Sequence, residues 1–439
     1  MGVVLKKKSS KHGIKVKHHK LSKDIPIETA RIPEKVVIPL QQHIGAPCKV
    51  TVKRGEKVKV GDKIGESDAF VSAPIHATVS GEIKGMTKVI NPPTGMPVDA
   101  VIIESDGKDK WGKFEGVDNI EDISAEDIVK MIRNAGIVGL GGATFPTHVK
   151  LSPPKDKVID TVILNGCECE PYITSDHRVM LEYGREVLLG LSVISKILSP
   201  ENVYIAIEDN KMDAIEKMED LILEMGFEKE FRIVPLCSKY PMGGEKTLIK
   251  TVLNREVPIG GLPLDVGVVV QNVATAKAIH DAVFYGKPLV ERVVTVTGDI
   301  KSPKNLLTRF GTPIKSLIEY ANGYEIDDME VILGGPMMGI SQFDMNFPVT
   351  KGTNSILVKR ARRVNEGECI RCGRCVNTCP MNLLPTMFVK YVKRGMYEMC
   401  KEIFVDDCME CGSCAYMCPA NIPIVQYIKI AKSELRKRR

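Results

Sequence analysis

Residues 203–236 read VYIAIEDNKMDAIEKMEDLILEMGFEKEFRIVPL. Val203 to Ile207 is an apolar run of strand length, Met212 to Met225 carries apolar residues at helical spacing, and Phe231 to Leu236 is a second short apolar run. Two strands joined by a helix of this length are expected to lie parallel. The alternation continues outward. Strand Val158 to Leu164 and a helix around His177 to Leu198 precede the stretch. Helix Glu245 to Leu253, strand Val266 to Gln271, helix Ala274 to Tyr285 and strand Val293 to Thr297 follow it. Further upstream, Ser124-Ala-Glu-Asp127 has the form of a helix cap and opens an amphipathic helix through Asn134. The predicted fold class is α/β, a mostly parallel sheet covered on both faces, with ligands at the C-terminal ends of its strands.

This α/β unit is expected over residues 120–299. Residues 33–115 hold valine-rich stretches punctuated by glycine, such as Cys48-Lys-Val-Thr-Val and Arg54-Gly-Glu-Lys-Val-Lys-Val-Gly-Asp, which read as short strands with tight turns. They resemble a biotinyl or lipoyl carrier domain, a flattened barrel-sandwich of paired hairpins. Such domains display a modifiable lysine on the central hairpin, where this chain has Asp68-Ala69. The resemblance therefore implies the fold without the swinging arm. Residues 300–352, with GTPIKSLIEYANGY as a helix and VILGGPMMGI as a strand and glycine turn, resemble a small β-grasp, soluble-ligand-binding module.

The chain has 439 residues, and 61 basic against 55 acidic side chains leave a formal charge of +6, too small to argue for nucleic acid. Apolar runs such as Val266 to Val270 are strand-sized, far below the roughly 20 residues of a membrane helix, so no bilayer span is expected. The start Met1-Gly-Val-Val-Leu-Lys6 lacks the Ser or Thr of a myristoylation signal, so no anchor is expected either. Basic residues gather in a segment over 1–32, at the C-terminus, and in Lys359, Arg360, Arg362, Arg363, Arg371 and Arg374. The two ends are as readily solvated tails as functional ones. The internal group is placed to steer an acidic electron carrier or a partner protein.

Residues 353–439 contain two runs, CIRCGRCVNTCP from Cys369 and CMECGSCAYMCP from Cys408. Each has the spacing C-x2-C-x2-C-x3-C-P, which suits iron–sulfur ligation. Zinc has no need of three thiolates at two-residue gaps plus a fourth before proline, twice over. The double run resembles bacterial two-cluster ferredoxins, in which the fourth cysteine of each run serves the other cluster. That resemblance implies two 4Fe-4S clusters, one on Cys369, Cys372, Cys375 and Cys418, the other on Cys379, Cys408, Cys411 and Cys414. Of the remaining cysteines, Cys48, Cys237 and Cys400 read as small buried hydrophobes.

The segment GLGGATFPTHVK, Gly139 to Lys150, is no dinucleotide fingerprint, because a helix precedes the glycines and Phe-Pro follows them. Glycines nevertheless let backbone approach a flat or anionic ligand closely. Three further segments, NGCECEP (Asn165 to Pro171), GGEKT (Gly243 to Thr247) and QNVAT (Gln271 to Thr275), put polar groups at strand ends or helix starts. In order and spacing the four resemble the flavin and nicotinamide site of the flavoprotein subunit of respiratory complex I. This chain departs from it at Leu140, where that family has arginine, in NGCECEP, and in having two cysteine runs. The added barrel-like domain, the paired runs, and HGIKVKHHKLSKDIPI followed by VVIPLQQHIGAP resemble the RnfC family, from the Rnf ion-translocating ferredoxin:NAD oxidoreductase, across nearly the whole chain.

That resemblance implies a peripheral electron-transfer subunit on the cytoplasmic face of the cell membrane. It would exchange hydride between NAD(H), its substrate, and non-covalent FMN, and pass single electrons through two clusters. Its implied partners are the other Rnf subunits, especially the iron–sulfur protein RnfB, with ferredoxin reached indirectly and the membrane through partner subunits. It further implies that Gly139, Gly141, Gly142, Asn165, Glu168, Gly244, Glu245, Lys246, Asn272 and Thr275 hold FMN. Phe145, Lys150, Glu170 and Glu208 would hold the dinucleotide, Phe145 by stacking and the acids by accepting ribose hydroxyls. His148 would touch a phosphate, and Cys167 and Cys169 would line the pocket. Hydride transfer needs no general acid or base, so no catalytic residue is expected beyond the cofactors. A soluble cobalamin reductase shares this domain order and is the nearest alternative. A flavin-less electron-wiring scaffold is the alternative from another class.

Overall fold

The computed structural model describes residues 2–91, 95–324, 326–362 and 364–438. Arg363 and Arg439, members of the basic groups above, lie outside the described residues.

The α/β unit is built on four strands, Thr161–Asn165, Asn202–Glu208, Phe231–Leu236 and Val268–Asn272, all paired in parallel. Their spatial order is third, second, first, fourth. The chain thus steps away from the first strand in one direction and returns on its other side, and the reversal opens a crevice at the strand C-termini. Near-continuous burial of these strands reflects cover on both faces. Helices Gly184–Leu198 and Val273–Phe284 pack so closely that a Cβ on Gly190 would stand 1.9 Å from the Ala276 carbonyl oxygen. Gly190→Ala is accordingly expected to destabilise the chain by about 1–3 kcal/mol through overpacking. Equilibrium denaturant unfolding measures this, and an unchanged midpoint would contradict the close approach.

The helix expected around 177–198 is broken into Ser175–Glu182 and Gly184–Leu198. Tyr183 leaves the helical region at φ −123°, and Gly184 packs where a Cβ would meet Leu221 at 2.6 Å. Strand 293–297 also departs from expectation. As Glu291–Gly298 it joins a different, six-stranded mixed sheet, ordered Ile27–Thr29, Lys304–Arg309, Glu291–Gly298, Ser355–Arg360, Met329–Leu333, Ile340–Gln342. Strands on either side of the expected boundaries at 299/300 and 352/353 thus pair with each other. Strands 291–298 and 355–360 both belong to the small central unit, and the cysteine-bearing unit begins beyond Ala361. A strand buried on both faces shows no preference for either sheet in its periodicity, and its partners lie far away in sequence.

The barrel-sandwich consists of two antiparallel sheets, Lys35–Pro39/Met96–Ser105/Gly81–Asn91/Lys57–Val58 and Lys49–Val50/Lys63–Glu66/Ile75–His76. They close on Val36, Ile38, Leu40, Ile64, Ile83, Val101 and Ile103. The N-terminal basic segment is an ordered strap. Leu5 N donates to Ile233 O at 2.8 Å and Lys8 N to Pro235 O at 2.9 Å, extending the parallel sheet at its edge. Ile14 then pairs with Tyr240, and Ile27–Thr29 runs beside Lys304–Arg309.

In the C-terminal unit, helices Pro385–Val392, Tyr397–Glu402 and Ile424–Lys437 bury Phe388, Cys400, Ile424, Ile428 and Ala431 around the cysteine runs. Arg360, Arg362, Arg371 and Arg374 are exposed, whereas Lys359 lies over the Tyr172 ring at 5.1 Å. Among the described residues no helix is long and apolar enough to cross a membrane.

Candidate functional site

Asn165 and Asn272 close the two strands that flank the switch point and stand opposite each other in register. Asn272 Oδ1 accepts from Ala274 N at 2.9 Å and Thr275 N at 3.3 Å, capping its helix, while its Nδ2 donates to Asp176 at 2.6 Å. Asn165 Nδ2 donates to Gly243 O at 2.9 Å, and its Oδ1 accepts from Cys167 N at 3.1 Å. The two side chains thus fix the floor of the crevice. Its wall is the glycine segment, pinned by Leu140 N donating to Thr275 Oγ1 at 2.9 Å and by Arg292 Nη2 donating to Leu140 O at 3.0 Å. Gly139 N to Phe145 O and Thr144 N to Gly139 O close the loop on itself.

Between those pins, Gly141, Gly142 and Ala143 are exposed. Gly142 sits at φ +115° with open space where a Cβ would be, and Gly141 lies against Asn272, 3.5 Å from a built Cβ. The result is a strip of bare backbone facing an open crevice, with half-buried Phe145 at its end. A flat, hydrogen-bonding ring system fits such a cradle.

The acidic residues distribute otherwise than expected. Glu168 turns inward and accepts from Asp176 N at 2.7 Å, Ser175 Oγ at 3.2 Å and His177 N at 3.3 Å, so that it caps helix Ser175–Glu182. Its three accepted bonds tie it to that helix, so that it supports the frame of the cradle. Glu208 is 1% exposed, its carboxylate has no hydrogen bond, and Lys211 Nζ stands 3.5 Å away. Burial raises its pKa. The Glu208 carboxylate is thus enclosed and is not at the crevice surface where a ribose would lie.

Glu170 stays at the rim. Its Oε2 accepts from Met337 N at 3.2 Å and its Oε1 from Met338 N at 2.8 Å, which leaves each oxygen further acceptor capacity. Burial pushes its pKa up to about 7 against the pull of those two amides.

Lys150 and Glu245 meet each other at 2.7 Å, and Lys150 also donates to Val270 O. Both remain partly exposed beside the crevice. Lys246 points away from the cradle to Asp407 of the cysteine-bearing unit at 3.1 Å, and is a strut between units. Gly244 packs against Met409, where a Cβ would approach Cε at 2.3 Å. His148 is buried and bonds Phe70 O at 2.9 Å, which removes it from any phosphate. Cys167 is fully buried in the sheet core, and burial raises its thiol pKa; Cys169 Sγ accepts from Gly243 N at 3.4 Å.

Cys379, Cys408, Cys411 and Cys414 line one small cavity of about 20 Å³. Burial pushes the Cys408 thiol up to about 11, and the neighbouring Cys411 and Cys379 add to it. Cys414 is raised further by burial and by the sulfurs of Cys408, Cys411 and Cys379. Burial raises the Cys375 thiol, and the nearby sulfurs of Cys418 and Cys369 add to it. The cysteines are therefore brought together across the two runs. Among the described residues no group of His, Cys, Asp and Glu has the geometry of a metal-ion site. Cys379, Cys411 and Cys414 are buried, while Cys369 and Cys372 are exposed. The buried set adjoins the crevice rim. Tyr240 Oη donates to Cys411 O at 2.6 Å, and a Cβ on Gly412 would lie 2.8 Å from Met337 O.

Lys20, Tyr240 and Arg292 were not anticipated from sequence. Arg292, 3% exposed, is one of two adjacent charges, with Glu291, in the otherwise apolar run VERVVTV, a pattern that signals a buried partner. Lys20 offered no such signal within its basic run.

Family descriptions match segment by segment: the RnfC barrel sandwich hybrid domain at residues 8–108, the Nuo51 FMN-binding domain at 132–281, the SLBB domain at 293–341 and the 4Fe-4S dicluster domain at 368–422. Among solved structures, the H2-reduced NAD+-reducing NiFe-hydrogenase superposes with a TM-score of 0.51 at 14% identity, over 72% of this chain and 61% of that one, which shows a shared fold. The C subunit of the proton-translocating ferredoxin:NAD(+) oxidoreductase complex of Clostridium ljungdahlii is 48% identical over 86% of this chain and 82% of its own length. Its Na(+)-translocating counterpart from Acetobacterium woodii is 44% identical over 86% of each chain. The C subunit of the ion-translocating oxidoreductase complex of Rhodobacter capsulatus is 42% identical over 86% of this chain and 73% of its own. On identities of this order along most of its length, the chain belongs to the RnfC family, the C subunits of ion-translocating ferredoxin:NAD(+) oxidoreductase complexes.

Proposed function

We propose that this chain is the peripheral subunit that exchanges electrons with NAD(H) at a non-covalent FMN and relays them through two 4Fe-4S clusters to partner subunits of an Rnf complex. Bound FMN supplies the chemistry that converts a two-electron hydride into single electrons. The observation carrying this reading is the junction of two features. An exposed glycine cradle lies over the switch-point crevice, and the rim of that crevice packs on the four-cysteine cavity through Gly244, Met409 and Tyr240.

In this reading Gly141 and Gly142 offer backbone to the FMN ring, Gly139 closes the loop behind them, and Asn165, Gly244, Asn272 and Thr275 hold the frame around it. Lys150 and Glu245 face its polar edge as a pair. Phe145 and Glu170 take the dinucleotide. Cys379, Cys408, Cys411 and Cys414 hold the inner cluster. Cys369, Cys372, Cys375 and Cys418 hold the outer one, where exposed Arg371 and Arg374 favour an acidic, ferredoxin-like partner such as the iron–sulfur protein RnfB. The membrane, on its cytoplasmic face, is reached through those partners.

Glu170→Ala tests the nicotinamide end. Removing one charged acceptor should weaken NADH binding by about 1.5–3 kcal/mol, roughly a tenfold to hundredfold rise in Kd, with FMN retained. Unchanged NADH affinity in the flavin-loaded variant would take Glu170 out of the site.

A further inference from the structure

The loop from Asn165 to Ile173 carries two non-glycine residues in the left-handed region, Glu168 at φ 45° and Tyr172 at φ 70°. Conformations of this kind are strained and persist only where the surroundings over-determine them. The restraints come from the N-terminal strap. Lys20 Nζ donates to the carbonyl oxygens of Glu168 at 2.9 Å, Glu170 at 3.0 Å and Ile173 at 2.5 Å. Three donors meet three acceptors, so the ammonium is fully used. The Glu168 carboxylate, 3.8 Å away, balances its charge.

Neighbouring strap residues grip the same loop. Tyr172 N donates to His18 O at 2.8 Å, His19 stacks on the Tyr172 ring at 4.9 Å and 12°, and Ser22 Oγ bonds Thr174 Oγ1 at 2.7 Å. The strap is itself held at one end by the parallel sheet edge and at the other by strand Lys304–Arg309. It has little freedom to yield.

We infer that Lys20 is a positioning residue for the dinucleotide end of the site, pinning the backbone on both sides of Glu170 so that its carboxylate is held at the crevice rim. The inference rests on the role of Glu170 proposed above. It places a determinant of NADH recognition more than 100 residues before the FMN-binding domain match at 132–281. An arginine would not substitute, because a planar fork cannot aim its donors at three converging carbonyls as an ammonium does.

The test is a double-mutant cycle on the full-length, flavin-loaded protein, with NADH oxidation by ferricyanide as the assay. Lys20→Met is expected to raise KM for NADH about tenfold or more with kcat changed by less than about threefold, and Lys20→Arg is not expected to restore KM. In a Glu170→Ala background, Lys20→Met should add almost nothing, since both changes remove one interaction. If Glu170→Ala alone leaves KM unchanged, the role of Glu170 falls and this inference with it. If Glu170→Ala raises KM and Lys20→Met multiplies that rise, Lys20 acts on the fold at large and the inference is overturned on its own. Should Lys20→Met fail to fold, His19→Ala removes the stacking without baring a buried carbonyl. It should raise KM about threefold, again with no effect in the Glu170→Ala background, and an unchanged KM for His19→Ala overturns the inference.

Discussion

A chain cut after Arg362 is expected to oxidise NADH with ferricyanide and to deliver nothing to a ferredoxin-like acceptor. The cut must fall beyond strand Ser355–Arg360, which pairs with both Glu291–Gly298 and Met329–Leu333; ending at Lys359 would trim the centre of that sheet. The main core and those of the barrel and parallel sheet lie wholly before residue 359, whereas the C-terminal unit closes its own core between Cys379 and Leu435. The contacts severed are Tyr240 Oη to Cys411 O, Lys246 and Gly260 N to Asp407, and a small apolar cluster in which Ile14, Tyr240 and Met337 meet Cys411, Met409 and Met417. The truncated chain should therefore fold and keep its flavin while containing no iron. Reduction of the ferredoxin-like acceptor should fall to background. A well-folded, flavin-loaded truncation that is inert toward NADH would show that the nicotinamide site is elsewhere. Full-rate reduction of the ferredoxin-like acceptor would take the clusters off the path.

The second large effect concerns Cys418. Because Cys418 lies within electrostatic reach of Cys375 while Cys379 lines the cavity of Cys408, Cys411 and Cys414, Cys418→Ser should strip or convert the cluster of Cys369, Cys372 and Cys375. The set formed by Cys408, Cys411 and Cys414 should remain. Iron per chain should fall from about eight toward about four, and one of two reducible signals in low-temperature magnetic resonance should disappear. Cys379→Ser should do the reverse, damaging the inner set. Loss of the signal belonging to the mutated cysteine's own run, in both variants, would contradict crossed ligation.

Much of this organisation was legible in sequence, for physical reasons that differ from element to element. The strands at 203–207 and 231–236 and the helix between them announced themselves because periodicity is a local property. The cysteine runs were legible because coordination fixes spacing. Strand Glu291–Gly298 was misallocated between sheets because sheet membership depends on pairings with Lys304–Arg309 and Ser355–Arg360, which period-two patterning does not encode. Glu168 is bonded to a helix N-terminus and Glu208 is enclosed beside Lys211, and neither placement is legible in their segments, because side-chain direction at a strand end follows from tertiary packing. The strap was the largest omission. A run of lysines and histidines looks like a solvated tail, and only the folded chain reveals that Lys20 ends among three carbonyls.

The most direct test is an anaerobic NADH titration of the purified full-length chain, followed by visible absorbance. A chain that carries electrons from NADH to its cysteine-bound iron should show a flavin band over broad iron–sulfur absorbance, and the flavin band should bleach and the broad absorbance fall as NADH is added. A brown protein without a flavin band, its spectrum unmoved by NADH, would contradict the account and leave only an electron-wiring scaffold.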